Sequence, residues 1–247
     1  MRRGGRVIVL SSGKPPLTKV VTLVCALAAL DIIFNVIPLI PYGPSAAVLL
    51  KPSEGILLGP LGGVFAAVIG GIVSSVIWPA TAVLGLATWV PGALGAFAAG
   101  MMMKRKWQVA AAILLVVLLA FLVNPVGPQL FLYANWDKTI ALVLVYPVSR
   151  VANRGLSQRS NLKALMPTIG LIAFIATEID GATGNLIFLL EAGPLFGLTP
   201  QMLPPLFIPY TFVDASVRVL VGVVCAIVLT PVLIAVEKAN LLRWPLT

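Results

Sequence analysis

Residues Lys51 to Trp78 read KPSEGILLGPLGGVFAAVIGGIVSSVIW, and this stretch decides the fold class. Its opening, Lys51, Pro52, Ser53 and Glu54, is polar and stiff, and the rest is apolar for more than twenty residues. A helix of that length crosses a hydrocarbon core of about 30 Å. Gly59, Gly63, Ala67, Gly71 and Ser75 recur at every fourth position, with Ala66, Gly70 and Ser74 as a second small row beside them. On a helix these rows leave one face almost bare backbone. Inside lipid no hydrophobic drive brings helices together, so close backbone approach supplies the contact energy. The stretch is expected to be one transmembrane packing helix, with Gly59, Gly63, Ala67 and Gly71 on its packing face.

Composition carries this reading to the whole chain. Of 247 residues, 60% are hydrophobic and only 10% charged, which describes a polytopic membrane protein and not a soluble domain with a large core. The fold class expected is all-α: a compact bundle of about six to eight transmembrane helices, multi-pass in the cell membrane. The net charge of +9 raises the question of nucleic acid. However, the basic residues gather in the N-terminal arm, at Lys104 to Lys106, from Arg150 to Lys163 and near the C-terminus. Charge at loops and ends reads as membrane topology and contact with anionic lipid, so no nucleic-acid partner is expected. A basic cytoplasmic arm (1–19), a single membrane domain (20–236) and a tail (237–247) follow. The arm has only four consecutive apolar residues and does not read as a signal peptide. Cys25 and Cys225 lie in apolar runs and are expected to be buried thiols.

The first span is expected over 20–39, stopped by Pro38, Pro41 and Pro44. It carries a small-residue stripe, Thr22, Cys25, Ala26 and Ala29, and places Asp31 and Asn35 one turn apart. A carboxylate at mid-membrane costs about 3 kcal/mol, so Asp31 must face protein, a cavity or the boundary. Further spans are expected over 81–103, with Gly92, Ala96 and Gly100 at small-residue spacing, and over 109–123, 130–148, 164–177 and 205–236. Trp136 reads as an aromatic anchor in preference to a pocket residue. The segment TEIDGATGNLIFLLEAGPLFGLTP stays open between a re-entrant segment, a short helix and a lid. This count of about seven conflicts with the positive-inside rule. Three spans separate the basic arm from Lys104 where an even number is required, so either 44–58 dips in and out or the rule fails at one loop.

Histidine is absent, which removes His-dependent triads and His metal sites. Two isolated cysteines make no thiolate cluster and no phosphate loop with its lysine occurs, so the chain is expected to bind no metal or cofactor and to hydrolyse no nucleotide itself. Eight carboxylates remain. Glu178 and Asp180 read as solvated charges at a helix end, two residues apart and off a common face. Asp214 and Arg218 are spaced to pair on one helical face, as a structural ion pair or as a pair that opens to hold a polar ligand. Asn124, Asn185 and Tyr210 are available as neutral hydrogen-bonding groups, although asparagine at a helix end is also an ordinary cap.

The segments ALAALDIIFNVIPLIPYGPS and KPSEGILLGPLGGVFAAVIGGIVS resemble the substrate-binding S components of energy-coupling factor (ECF) vitamin transporters, in particular archaeal members of that superfamily. The match is a small-residue first helix, a loop, and a helix opening in GP-x-x-G, here Gly59, Pro60 and Gly63. It is best over the first hundred residues and loose at FIPYTFVDASVRVLVGVV. Six helices are usual in that family. The resemblance implies capture of a vitamin-like molecule without chemistry on it, and toppling within a complex of a coupling membrane subunit and ATPase subunits. It implies a lid over Tyr42 to Glu54, and a coupling-subunit contact at Thr22, Cys25, Ala26 and Ala29. Residue type points to Asn124, Trp136, Asp180, Asn185, Asp214 and Arg218, beside Tyr42 and Glu54, as substrate-binding groups.

Two other classes compete. An integral-membrane enzyme acting on a lipid or isoprenoid needs several carboxylates brought together, and these read as scattered. An ion-coupled carrier needs a titrating group such as Asp31, Glu54 or Asp214, and no second copy of GPLGG supports the internal repeat common in such folds.

Overall fold

A computed structural model describes residues 17–39, 44–82, 84–158 and 161–238. Its helices are α1 (Leu17–Asn35), α2 (Leu50–Ile77), α3 (Trp89–Met103), α4 (Trp107–Val123), α5 (Gly127–Ser157), α6 (Leu162–Phe196), the short α7 (Pro204–Phe207) and α8 (Thr211–Lys238). The protein is an all-α bundle. Five stretches are long and apolar enough to cross a membrane: Leu17–Asn35, Ala46–Ile77, Gly85–Met103, Leu162–Phe196 and Pro200–Lys238. The apolar α4 is 17 residues long, and α5, at 31 residues, carries Asp137 and Lys138. Tyr42, most of the basic arm and most of the tail lie outside the described residues.

The organising stretch is not one straight helix. Gly59 has φ 74° and ψ 180°, a conformation open essentially to glycine alone, and Pro60 behind it disfavours helical backbone at that position. The chain reverses there. Residues eight apart in a straight helix stand about 12 Å apart along the axis. Here a β-carbon on Gly63 would lie 2.8 Å from Gly55 Cα. The limbs 50–58 and 60–77 therefore form a hairpin, continued at its start by a tight 3-10 turn, Ala46–Leu49. Gly63, Ala67 and Gly71 are buried as expected of a packing face, whereas Gly59 makes the turn.

Neighbouring helices fix the hairpin's direction. Along α3, Gly92 meets Lys51, Ala96 meets Gly55 and Gly100 meets Gly59 and Pro60, so α3 runs parallel to the first limb. Gly71 meets Trp89, so α3 runs antiparallel to the second. On the other side Gly62 lies near Val24 and Gly70 against Asp31, which makes α1 parallel to the second limb. The hairpin thus leaves from and returns to the end of the bundle where α1 finishes, and α3 crosses back.

This removes the conflict over topology. Lys19 at the start of α1 and Lys104, Arg105 and Lys106 after α3 lie at the same end. Arg105 bonds Ser157 there at 2.9 Å, and Gly155 packs against Ala164 and Thr168, so the α5–α6 connection with Arg150, Arg154 and Lys163 shares that end. The α8 helix finishes there at Lys238. Among the described residues, every lysine and arginine outside the interior cluster described below sits at this basic end.

Several expected boundaries shift. The first helix stops at Asn35, where Ala46 N–H donates to Ile37 O and the chain turns back. The third begins at Trp89, because 3-10 turns at Pro79–Thr81 and Gly85–Ala87 precede it. The polar segment from residue 177 is neither lid nor separate helix, since the 35-residue α6 continues through it to Phe196 and ends at left-handed Gly197. Its small residues make it a packing surface: Gly170 meets Gly222 of α8, and Ala176 O faces Gly95 of α3. With Ile169, Ile172, Ile175 and Ile179 fully buried, α6 is the axis of the core.

Candidate functional site

Six carboxylates and three cations meet inside this bundle. They are Asp31 (α1), Lys51 and Glu54 (α2), Asp137 and Lys138 (α5), Glu178 and Asp180 (α6), and Asp214 and Arg218 (α8). Asp31, Glu54 and Glu178 are fully buried, and Lys138 is 1% exposed. They lie from the middle of α6 toward the end opposite the basic one, since Asp31 is near the last turn of α1 and Asp214 in the first turn of α8.

Glycines seat the charges. A β-carbon at Gly70, Gly92 or Gly181 would stand 2.7, 2.7 or 2.8 Å from Asp31 Cγ, Lys51 Cε or Arg218 Cζ. The small rows thus make room for charged side chains as well as for helix contact.

On one side of the cluster the charges close on one another. Asp214 Oδ2 accepts from Lys138 Nζ at 2.5 Å and its Oδ1 from Arg218 Nη2 at 2.8 Å. Lys138 also donates to Asp137 Oδ2 at 2.9 Å. The expected Asp214–Arg218 pair is present and is one edge of a larger network. Arg218 Nη1 stands 3.9 Å from Asp180 Oδ2, which links this group to the hairpin side.

The hairpin side is less complete. Lys51 Nζ donates to Asp31 Oδ2 and lies within electrostatic reach of Glu54 and Asp180. Among the described residues, Asp31 Oδ1 and both carboxylate oxygens of Glu54 have no hydrogen-bond partner, and neither do the oxygens of Glu178, the amide of Asn135 or Nε and Nη1 of Arg218. Buried polar groups ordinarily find partners, and each exception calls for an explanation.

The expected binding residues divide. Glu54, Asp180, Asp214 and Arg218 are in the cluster. Asn124 is not, because its side chain accepts from Val126 N–H at 3.0 Å and caps the α4–α5 turn. Asn185 donates to Ala134 O at 2.7 Å and ties α6 to α5. Trp136 ties α5 to α8: its Nε1 donates to Thr211 O at 3.1 Å and its ring lies 5.8 Å from that of Phe212. Tyr42 lies outside the described residues. Glu178 and Asp180 are mid-helix groups and not solvated ends, and on α6 they face different partners, Glu178 toward Lys138 and Asp180 toward Arg218 and Lys51. The carboxylates are therefore not scattered.

Sequence reading missed Lys51, Asn135, Asp137, Lys138 and Glu178 as members of the site. A lysine within an otherwise apolar helix was the signal for Lys138. Thr22, Cys25, Ala26 and Ala29 all lie on the exposed face of α1, so Cys25 is not a buried thiol. Among the described residues no group of three or more acidic or cysteine side chains is arranged to hold a metal ion. No family model matches the chain, and neither curated proteins nor solved structures show a significant similarity to it.

Proposed function

We propose that this chain is the membrane-embedded substrate-binding component of an ATP-driven, ECF-type uptake system for a small polar molecule of vitamin size. The observation that carries this reading is the charged cluster: it is enclosed by five helices, displaced away from the basic end, and has polar atoms left unclaimed. The positive-inside rule assigns the basic end to the cytoplasm and so turns the cluster toward the outside, from which an uptake protein captures its substrate. Ionisable groups kept inside a membrane protein are costly and commonly mark a substrate path. A helix broken beside such groups is a recurrent arrangement at transport sites. The outward small-residue stripe of α1 offers a close-packing face for a coupling subunit. Because the chain has no nucleotide loop, ATP hydrolysis belongs to other subunits.

A lipid-modifying enzyme is less well supported even with the carboxylates together, because four of them already engage cations. An ion-coupled carrier is favoured by one feature, the unpartnered Glu54. Native mass spectrometry of the detergent-purified protein, followed by uptake into proteoliposomes, separates the three. A retained small polar molecule, co-purified ATPase subunits and ATP-dependent uptake support the proposal. Uptake by the chain alone, driven by an ion gradient, overturns it in favour of a carrier. A retained isoprenoid or lipid that is turned over overturns it in favour of an enzyme.

A further inference from the structure

Both sides of the cluster hold one carboxylate more than cations, Asp137, Glu178 and Asp214 against Lys138 and Arg218, and Asp31 and Glu54 against Lys51, and they differ in how the charges are engaged. Around Asp214, two cations, Lys138 and Arg218, face the carboxylates. Around the hairpin, Lys51 alone faces Asp31 and Glu54, with Asp180 shared with Arg218 at 3.9 Å. Of the three N–H groups of Lys51, one donates to Asp31 Oδ2 and none bonds Glu54. Among the described residues that leaves Asp31 Oδ1 and both oxygens of Glu54, in side chains that are wholly buried, without a donor. A buried carboxylate without a hydrogen-bonded counter-charge is strongly unfavourable.

Three acceptor oxygens beside the hairpin thus have no donor, whereas the unpartnered donors of the cluster, Arg218 Nε and Nη1, lie on α8. We infer that the transported molecule is a small organic cation whose N–H groups bond Glu54 and Asp31 Oδ1, beside the Gly59 turn. This rests on the binding-component reading and narrows its substrate class. A ligand ammonium or amidinium supplies both the missing positive charge and the missing donors. A neutral or anionic ligand supplies neither, and it meets the carboxylate surplus as repulsion. An alkali metal ion would bring charge without directional donors, and only the experiment tells that source from an organic one.

The test is binding to the purified full-length protein in nanodiscs, by isothermal titration and thermal shift. The probes are benzylammonium and benzamidinium, their neutral and anionic counterparts benzyl alcohol and benzoate, and sodium and potassium chloride. The expected result is that both organic cations bind at least tenfold tighter than benzyl alcohol or benzoate. Glu54→Gln should weaken them ten- to a hundredfold, the range for loss of a charge-assisted bond. Equal or tighter binding of benzoate or benzyl alcohol overturns the inference. So do a response to sodium or potassium alone, or an affinity unchanged by Glu54→Gln. If that variant does not fold, the ranking of the six probes on the unaltered protein decides. Cation binding without ATP-dependent uptake sinks the transport reading and leaves the cation site standing. ATP-dependent uptake of a neutral or anionic molecule does the reverse.

Discussion

Asp214 and Glu54 are two buried carboxylates in one cluster, and their surroundings are opposites. Each oxygen of Asp214 is taken by a different cation, whereas neither oxygen of Glu54 has a donor. A closed ion network holds helices in register, and removing one member leaves the others charged and alone. An open carboxylate does little for the fold and is free to meet something else. The Asp214 side is thus read as architecture and the Glu54 side as the place where function is carried.

The sharpest attempt to break this contrast is Asp214→Ala. It leaves Lys138 with Asp137 and Arg218 with the more distant Asp180, at a cost of about 3–5 kcal/mol, and the expected outcome is loss of a monodisperse peak in fluorescence-detected size exclusion. A well-behaved variant with an unchanged melting temperature would show that the closed side is not structural. Gly59→Ala comes next. It forces a β-carbon into a backbone conformation that costs on the order of 1–3 kcal/mol, so the thermal midpoint should fall while the cluster's pairs persist. Asn185→Ala removes one bond between α6 and α5 and should cost about 0.6 kcal/mol, a small shift in the same midpoint. Glu54→Gln stands last: it removes a buried charge and breaks no bond, so the thermal midpoint should not fall. A destabilisation as large as that of Asp214→Ala would dissolve the distinction between the two sides.

The helical membrane class was legible because long apolar runs leave few alternatives, and the pairing of Asp214 with Arg218 was legible because four residues is one helical turn. What escaped were features that depend on chain segments far apart in sequence. Gly59 fits the small-residue row of a helix as well as it fits a turn, so Lys51 to Trp78 reads as a single span until Gly63 is seen against Gly55. The dip considered for 44–58 was one of two ways to reconcile the basic loops, and the hairpin extends it through Ile77. Lys51 looked like a loop residue because its partner, Asp31, is on another helix. Asn124 and Asn185 were chosen for residue type, and the fold uses both as local ties. Glu178 and Asp180 looked like helix-end charges because glycine and threonine follow them, although in a membrane bundle such residues are good packing material.

The cluster also sets a timetable for biosynthesis. Asp31 leaves the ribosome first, Lys51 and Glu54 follow, and Arg218 and Asp214 come with the final crossing. Until α8 is inserted, Lys138 lacks its Asp214 partner and Asp180 its nearby arginine. A chain truncated before α8 keeps the Asp31–Lys51 and Asp137–Lys138 pairs and loses both charges of α8, so its interior is out of balance.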